Sequence, residues 1–433
     1  MFRNQTRQFS AVRILTAAGK KTPKQGFSRN KTLNSKSAAK KVSGSFHKRW
    51  RAVVSTSGFN KTATAAALPE FTHKHIKNEV ASYTETQLKG LYRLGAFKPD
   101  QMNELFQRPI SLVRDESTKK LFQQIDSAKN KKFIITGEPG VGKSTLLAQA
   151  LALGIDKKAL IIHLSHPDRF LNGTNDYYYD GKQYVQPMYL RDLLKKTFHL
   201  NNAETLKSIP LSKEYKFKTN NADGGVKSIT LSSKENTLMD LLNFTAAPRS
   251  RAAHFGAVIH EISTQSLFPV FFTVDNFSRI LTTPFTAYKN VENKNIHLLE
   301  FQLGKFIMDV VSGAVKFRHS GSCVLLATSG IDRTNRTLPI GLGKLPHDHY
   351  LTRYHYEPIF AELMQKGGVQ EFKVEKMSKE DLKKLLDFYI KSNILLNKEL
   401  NEKTFDQLVD EKYFISGNGN PRELLKCIAL NPY

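Results

Sequence analysis

The chain has 433 residues, 40% of them hydrophobic, with 65 Lys+Arg against 39 Asp+Glu for a formal charge of +26. That length leaves room for two or three domains and a sizeable core. Two cysteines, Cys323 and Cys427, are too few for a disulfide framework or a cysteine-rich zinc site. No apolar stretch approaches the ~18 residues that a membrane-spanning helix needs.

The charge is uneven. No acidic residue precedes Glu70, whereas 15 Lys and Arg do, so the rest of the chain carries 50 basic against 39 acidic side chains. At the N-terminus, Arg3, Arg7 and Arg13 lie among Ser, Thr and Gln with no acid and without the apolar core of a secretory signal. This is the composition of a mitochondrial transit peptide, and the expected destination is the matrix. Arg7-Gln8-Phe9-Ser10 resembles a matrix-protease cleavage site. The basic run from Lys20 to Arg51 continues past any plausible presequence, so residues 1–69 are expected to hold a transit peptide and a basic disordered arm suited to nucleic acid.

Residues 70–126 read as a helical preface, with Glu85 to Leu94 and the strip Pro109 to Arg114 leading into Leu121 to Ile125. Residues 127–374 follow as a nucleotide-binding domain. Its strand candidates are Phe133 to Thr136, Ala159 to Leu164, Val270 to Asp275, Cys323 to Thr328 and Glu371 to Val374, separated by helical stretches such as Leu299 to Val315. Strands alternating with helices imply an α/β fold, a parallel sheet with helices on both faces. An insertion at about 172–250 separates the second and third strands. Its Tyr177-Tyr178-Tyr179 would either stack on RNA bases or pack as an ordinary hairpin or loop. Residues 375–433 read as a small helical lid, with Ser378 as an N-cap and Asp381 in the capping-box position.

Gly137-Glu138-Pro139-Gly140-Val141-Gly142-Lys143-Ser144 is a complete G-x-x-x-x-G-K-[ST] loop, preceded by a β-branched run and followed by the helix formers Thr145 to Leu153. Strand, glycine loop and helix are the setting in which backbone N–H groups and a helix N-terminus converge on phosphate oxygens. The three glycines permit close approach of an anion, Lys143 would reach the β- and γ-phosphates, and the Ser144 hydroxyl would ligate Mg2+. A nucleoside di- or triphosphate held by residues 137–145 is the expected ligand.

Pro269 to Asp275 is a hydrophobic strand ending in a carboxylate, the form of a Walker B segment, and makes Asp275 the second metal candidate. The next residue is Asn276, where many hydrolytic relatives place a glutamate. An amide is not a general base, so no catalytic residue is assigned; Glu261, Glu300 or another acid would have to substitute in space. Thr328 and Ser329, at the end of the fourth strand, are placed to sense a γ-phosphate or to make a turn. Asn420 and Pro421 read as the N-cap and first residue of a last helix, which would let Arg422 reach the nucleotide from the lid. His347-Asp348-His349 sits in a proline-flanked loop and is not read as a metal centre. There is no N-K-x-D segment, so motif alone leaves guanine and adenine open.

Taken together, Gly137 to Thr145, Gln186-Pro187 with Leu190 to Leu194, Val274-Asp275-Asn276-Phe277, Ala327-Thr328-Ser329 and Phe414 through Leu424 resemble the death-associated protein 3 family of the mitochondrial small ribosomal subunit. The resemblance spans roughly residues 90 to 433. It implies an AAA-like P-loop NTPase fold, binding of GTP or GDP with Mg2+, with ATP not excluded, and contacts with small-subunit rRNA and neighbouring ribosomal proteins. It carries no demonstrated turnover, and Asn276 argues for slow hydrolysis or none. The alternative is an active AAA- or STAND-type ATPase that remodels nucleic-acid or protein complexes in the same organelle.

Overall fold

The computed structural model describes residues 68–72, 77–98, 101, 103, 108–128, 130–220, 226–330, 335–351, 355–392, 394–395 and 403–430. The transit-peptide and basic-arm expectation therefore lies almost wholly outside the described residues.

Five short strands form the central sheet: β1 (Lys132–Thr136), β2 (Leu160–Leu164), β3 (Val270–Val274), β4 (Cys323–Ala327) and β5 (Gln370–Lys373). Their spatial order is β5-β1-β4-β3-β2 and every pairing is parallel, with Phe133 opposite Leu325 and Thr273 opposite both Leu325 and His163. β2, β3 and β4 are buried along their whole length, as expected of parallel strands covered on both faces. Alternate side chains supply two separate cores, because successive residues of a strand point to opposite faces. Phe133, Ile135, Ile161, Phe271, Leu325 and Ala327 enter one core. Ile134, Ile162, Phe272, Val274 and Leu326 enter the other.

Helices fill both faces. α1 (Glu85–Leu94) and α2 (Lys143–Asp156) lie over the first core. α3 (Pro187–Leu200), α4 (Arg251–Thr264) and α5 (Gln302–Ser312) lie over the second. A lid made of α6 (Lys379–Lys391), α7 (Phe405–Ile415) and α8 (Pro421–Leu430) has its own core around Leu382, Leu386, Leu408 and Leu424. With β4 inserted between β1 and β3, the sheet has the order of an AAA-like P-loop NTPase. The carboxyl ends of β1, β4 and β3 lie side by side, and open α/β sheets bind their ligands in that crevice.

Two segments differ from the sequence reading. The preface is not helical throughout: Ile110–Leu112 pairs antiparallel with Val80–Ser82, because Ile110, Ser111 and Leu112 follow a period of two. In the lid, the Ser378 hydroxyl accepts the Asp381 N–H at 3.1 Å and so caps α6. The Asp381 carboxylate does not complete a capping box; it turns to Arg114 in the preface.

The long insertion is structured where it is described. Tyr178–Tyr179 pairs with Tyr184–Val185, and Tyr215–Asn220 pairs with Val226–Leu231. Tyr177 packs edge-on against Tyr288 at 4.8 Å and its hydroxyl donates to the Lys289 carbonyl. The three tyrosines thus lie in or beside a short hairpin, with Tyr179 left exposed on its surface. At the end of α3, the Asn201 side chain bonds both backbone groups of Ile161, which fixes the insertion to β2.

Candidate functional site

The loop between β1 and α2 turns through three left-handed or extended positive-φ glycines, with φ of 143° at Gly137, 88° at Gly140 and 99° at Gly142. Gly140 is irreplaceable on two counts. L-residues avoid that φ, and a Cβ there would lie 2.6 Å from Asn420 Oδ1 and 2.8 Å from Arg422 Cβ. The lid therefore rests directly on the loop backbone. α2 starts at Lys143 with Gly142 as its N-cap and no side-chain cap, so its first N–H groups are left for an anion.

Lys143 is buried, and its ammonium donates to the Gly137 and Glu138 carbonyls, each at 2.8 Å. The flexible lysine thus lies folded over the loop that a phosphate would enter. The Glu138 carboxylate points away, to Lys376 at 3.0 Å, and Pro139 offers its carbonyl to the Asn420 side-chain amide at 2.8 Å. Gly140 to Thr145 line a cavity of about 300 Å3, within the range of small-molecule sites.

The cavity has two ends. At the glycine-loop end, Arg422 faces the loop from the first turn of α8, which Asn420 caps by accepting the Arg422 N–H at 3.1 Å. The Arg422 Nε is buried without a hydrogen-bond partner among the described residues. A buried guanidinium nitrogen left so carries a desolvation cost that an anionic oxygen would remove. At the other end, Ile110 and Leu112 of the ribbon face Met377, Leu385, Tyr389 and Leu425 of the lid. These flat and branched apolar side chains suit a planar ring.

Arg114 closes this end. Its Nε pairs with Asp381 at 3.2 Å and its Nη2 donates to the Glu375 and Lys376 carbonyls at 3.0 and 2.7 Å. Behind it, Thr118 donates to Gln149 Oε1 at 2.8 Å and Gln149 donates to the Leu112 carbonyl at 2.9 Å, which holds the ribbon against α2.

The end of β3 is built differently. Asp275 is buried, and its Oδ1 accepts from the Ser144 hydroxyl at 3.3 Å and from the Asn276 N–H at 2.8 Å. Its Oδ2 forms an ion pair with Lys98, whose ammonium also donates to Ser144 Oγ at 3.3 Å. Both sequence candidates for a metal are thus brought together, with a lysine between them. Asn276 has a left-handed backbone, φ 55°, and its amide donates to the Ser165 carbonyl at 3.4 Å.

Neither carboxylate considered as a substitute base is there. Glu261 is buried under the insertion, held by the Ser212 N–H and hydroxyl at 3.0 and 2.8 Å and by the Tyr215 hydroxyl at 2.7 Å. Glu300 caps a turn by accepting the His297 N–H at 3.1 Å. Among the described residues no Asp or Glu side chain lines the cavity. Thr328 lines it, but its hydroxyl donates back to the Ile135 carbonyl at 3.2 Å, and the Ser329 N–H is taken by the Ser278 hydroxyl at 2.7 Å.

Two histidines back the strand end. Burial pushes His163 down to about 3, so it is neutral, with its Nδ1 2.7 Å from the Thr273 hydroxyl. His166 is lowered first by burial and then by the Lys98 ammonium. Outside the site, His347 bonds the Tyr356 hydroxyl, and Asp348 accepts the Tyr350 N–H at 2.9 Å and lies 3.6 Å from Arg336. His349 packs edge-on against His347 at 4.2 Å. No helix among the described residues is long and apolar enough to cross a membrane.

Sequence reasoning missed Lys98 and Arg114. Lys98 lies just beyond the Gly95 cap of α1 in a segment with no motif, and Arg114 meets Asp381 across a separation of 267 residues. Neither contact has a local signal.

The profile of the family described as mitochondrial ribosomal death-associated protein 3 matches residues 111–427. A small ribosomal subunit protein mS29 from Neurospora crassa is 22% identical over 370 residues, 81% of this chain and 74% of that protein. The protein of the same name from Schizosaccharomyces pombe is 23% identical over 371 residues, 82% of this chain and 73% of that one. Among solved structures, Cdc6p from Pyrobaculum aerophilum aligns with a TM-score of 0.28 and 9% identity, covering 75% of this chain and 52% of its own. The Aeropyrum pernix ORC2 protein, in ADPNP and ADP complexes, aligns with a TM-score of 0.31 and 8% identity, covering 72% and 65%.

Proposed function

We propose, from the premise that this chain belongs to the mitochondrial ribosomal death-associated protein 3 family, that it is a structural protein of the mitochondrial small ribosomal subunit which holds a guanine nucleotide with slow or no hydrolysis. The relatives named small ribosomal subunit protein mS29 support the ribosomal part. The excess of 15 Lys and Arg before the first acid supplies the counter-charge that a protein packed against rRNA needs. The acid-free, arginine-bearing N-terminus supports import into the mitochondrial matrix.

One observation carries the nucleotide part: a glycine loop, a helix N-terminus, Lys143 and an unpartnered Arg422 Nε converge on one cavity whose wall has no carboxylate. Such a wall attracts phosphates and offers no general base for water. The other end, between Ile110, Leu112, Tyr389 and Leu425, takes the base. Ser144 Oγ and Asp275 are hard oxygen donors that suit Mg2+, which would neutralise charge between the β- and γ-phosphates. The choice of guanine rests on the family resemblance.

Mass spectrometry of nucleotide released from the tagged, purified protein, together with its sedimentation at moderate salt, tests this. A guanine nucleotide at near-stoichiometric occupancy and co-migration with the small subunit are expected. Adenine nucleotide on a free protein that oligomerises when ATP is added would overturn the reading in favour of a remodelling ATPase.

A further inference from the structure

The position between Ser144 and Asp275 already holds a cation of the chain's own. Lys98 pairs with Asp275 Oδ2 and donates to Ser144 Oγ at 3.3 Å, while Ser144 donates to Asp275 Oδ1 at 3.3 Å. Its side chain is only 17% exposed and that of Asp275 only 5%, so the pair is shielded from water and weakly screened by salt. Phe97, Lys98 and Ser144 line the cavity and Asp275 does not, so the lysine stands between that carboxylate and the cavity.

We propose that Lys98 is a tethered cation at the metal position, which competes with Mg2+ for Asp275 and Ser144 and supplies counter-charge to the phosphates in its place. This rests on the nucleotide reading above and sets its metal dependence. Ordinary P-loop sites need the metal because nothing else neutralises the phosphates at that point. Here Mg2+ must first displace an ammonium from a buried carboxylate. Any gain in affinity from the metal is reduced by the loss of that contact, as linkage between two ligands of one site requires.

The consequence is a nucleotide affinity that changes little with Mg2+. Charge-assisted contacts of this kind amount to about tenfold or more in binding. Without Lys98, the same site would have an uncompensated Asp275 facing the phosphates in the absence of metal, and an open oxygen pair when metal is present. Metal-free affinity should fall while affinity with Mg2+ should hold or rise.

The test is the ratio of dissociation constants for a fluorescent guanine nucleotide in EDTA and in saturating Mg2+, measured on the full chain and on Lys98→Met and Lys98→Gln. Methionine keeps the buried stem and glutamine keeps a polar head, so a folding defect of one variant does not decide the matter. The ratio is expected to stay within about tenfold for the natural chain and to widen by about tenfold or more in both variants. Equal ratios in all three, with tight binding throughout, would overturn the role of Lys98 and leave the nucleotide site standing. Absence of binding by the natural chain in both buffers would instead overturn the nucleotide site, and the Lys98 proposal with it.

Discussion

Two walls of one cavity are finished to different degrees. The wall made by the glycine loop and the lid is closed at every point: Gly140 touches Asn420 and Arg422, Asn420 bonds the Pro139 carbonyl, and Arg114 ties the ribbon to Asp381. Behind the wall at the end of β3 stands the carboxylate proposed as a metal ligand, but a lysine occupies its front and an amide stands where a base would be. The difference separates holding from turning over. The first wall contains what the proposed nucleotide would need to be held, and the second lacks what would activate water.

The largest effect should come from the gripping wall. Lys143→Ala removes the charge that would reach the phosphates, and affinity for guanine nucleotide should fall by about a hundredfold or more, measured by fluorescence titration. Wild-type occupancy in the purified variant would break the comparison at its stronger side. Next, Arg114→Met leaves the buried Asp381 carboxylate without its partner and should cost about 3 kcal/mol in urea unfolding. A cost below about 1 kcal/mol would mean that the lid is held chiefly by its apolar contacts.

A smaller effect is expected from acid beside the strand end. His163 has a folded pKa below its unfolded value, so the unfolded chain takes up the proton first as pH falls. Its contribution is fully present above about pH 6.5 and is lost progressively from there towards about pH 3. At pH 5.5 the loss should reach about 1 kcal/mol. The stability gap between the natural chain and His163→Gln should narrow by that amount between pH 7.5 and pH 5.5, and a gap independent of pH would contradict a buried neutral imidazole. The smallest effect belongs to Asn276→Glu. Phosphate release should stay far below the ~10 s−1 of ordinary enzymes, because a new carboxylate alone does not clear Lys98 from Asp275. Turnover near that rate would show that the second wall lacks only its base.

The first wall was largely legible in the sequence and the second only in part. β1, its loop and α2 follow from a contiguous motif, and Asn420-Pro421 announces the start of α8, which carries Arg422. All five strands fall within a residue of their expected bounds at either end; for β2, β3 and β4 burial on both faces writes a continuous apolar pattern. The helix read as Leu299 to Val315 is shorter, Gln302–Ser312, with a separate turn at Leu298–Glu300 before it. Strand order is not written locally. It decides that β4 separates β1 from β3, and so how Asp275 approaches Ser144. Lys98 and Arg114 are likewise single cations whose meaning depends on residues far along the chain. The ribbon at Ile110–Leu112 was obscured because three residues are too few for a period to be read with assurance.

The backbone at Asn276, with φ 55°, bears on how such a protein could change over generations. Asparagine visits that region more readily than other side-chain-bearing residues, and a longer acid there carries strain of about 1 kcal/mol. A glutamate placed there by substitution would meet a peptide turned for asparagine, and the turn would need to relax before the acid could serve. The substitution therefore changes the strain of the turn together with the chemistry of the side chain, and a second change that relaxes the backbone would favour it.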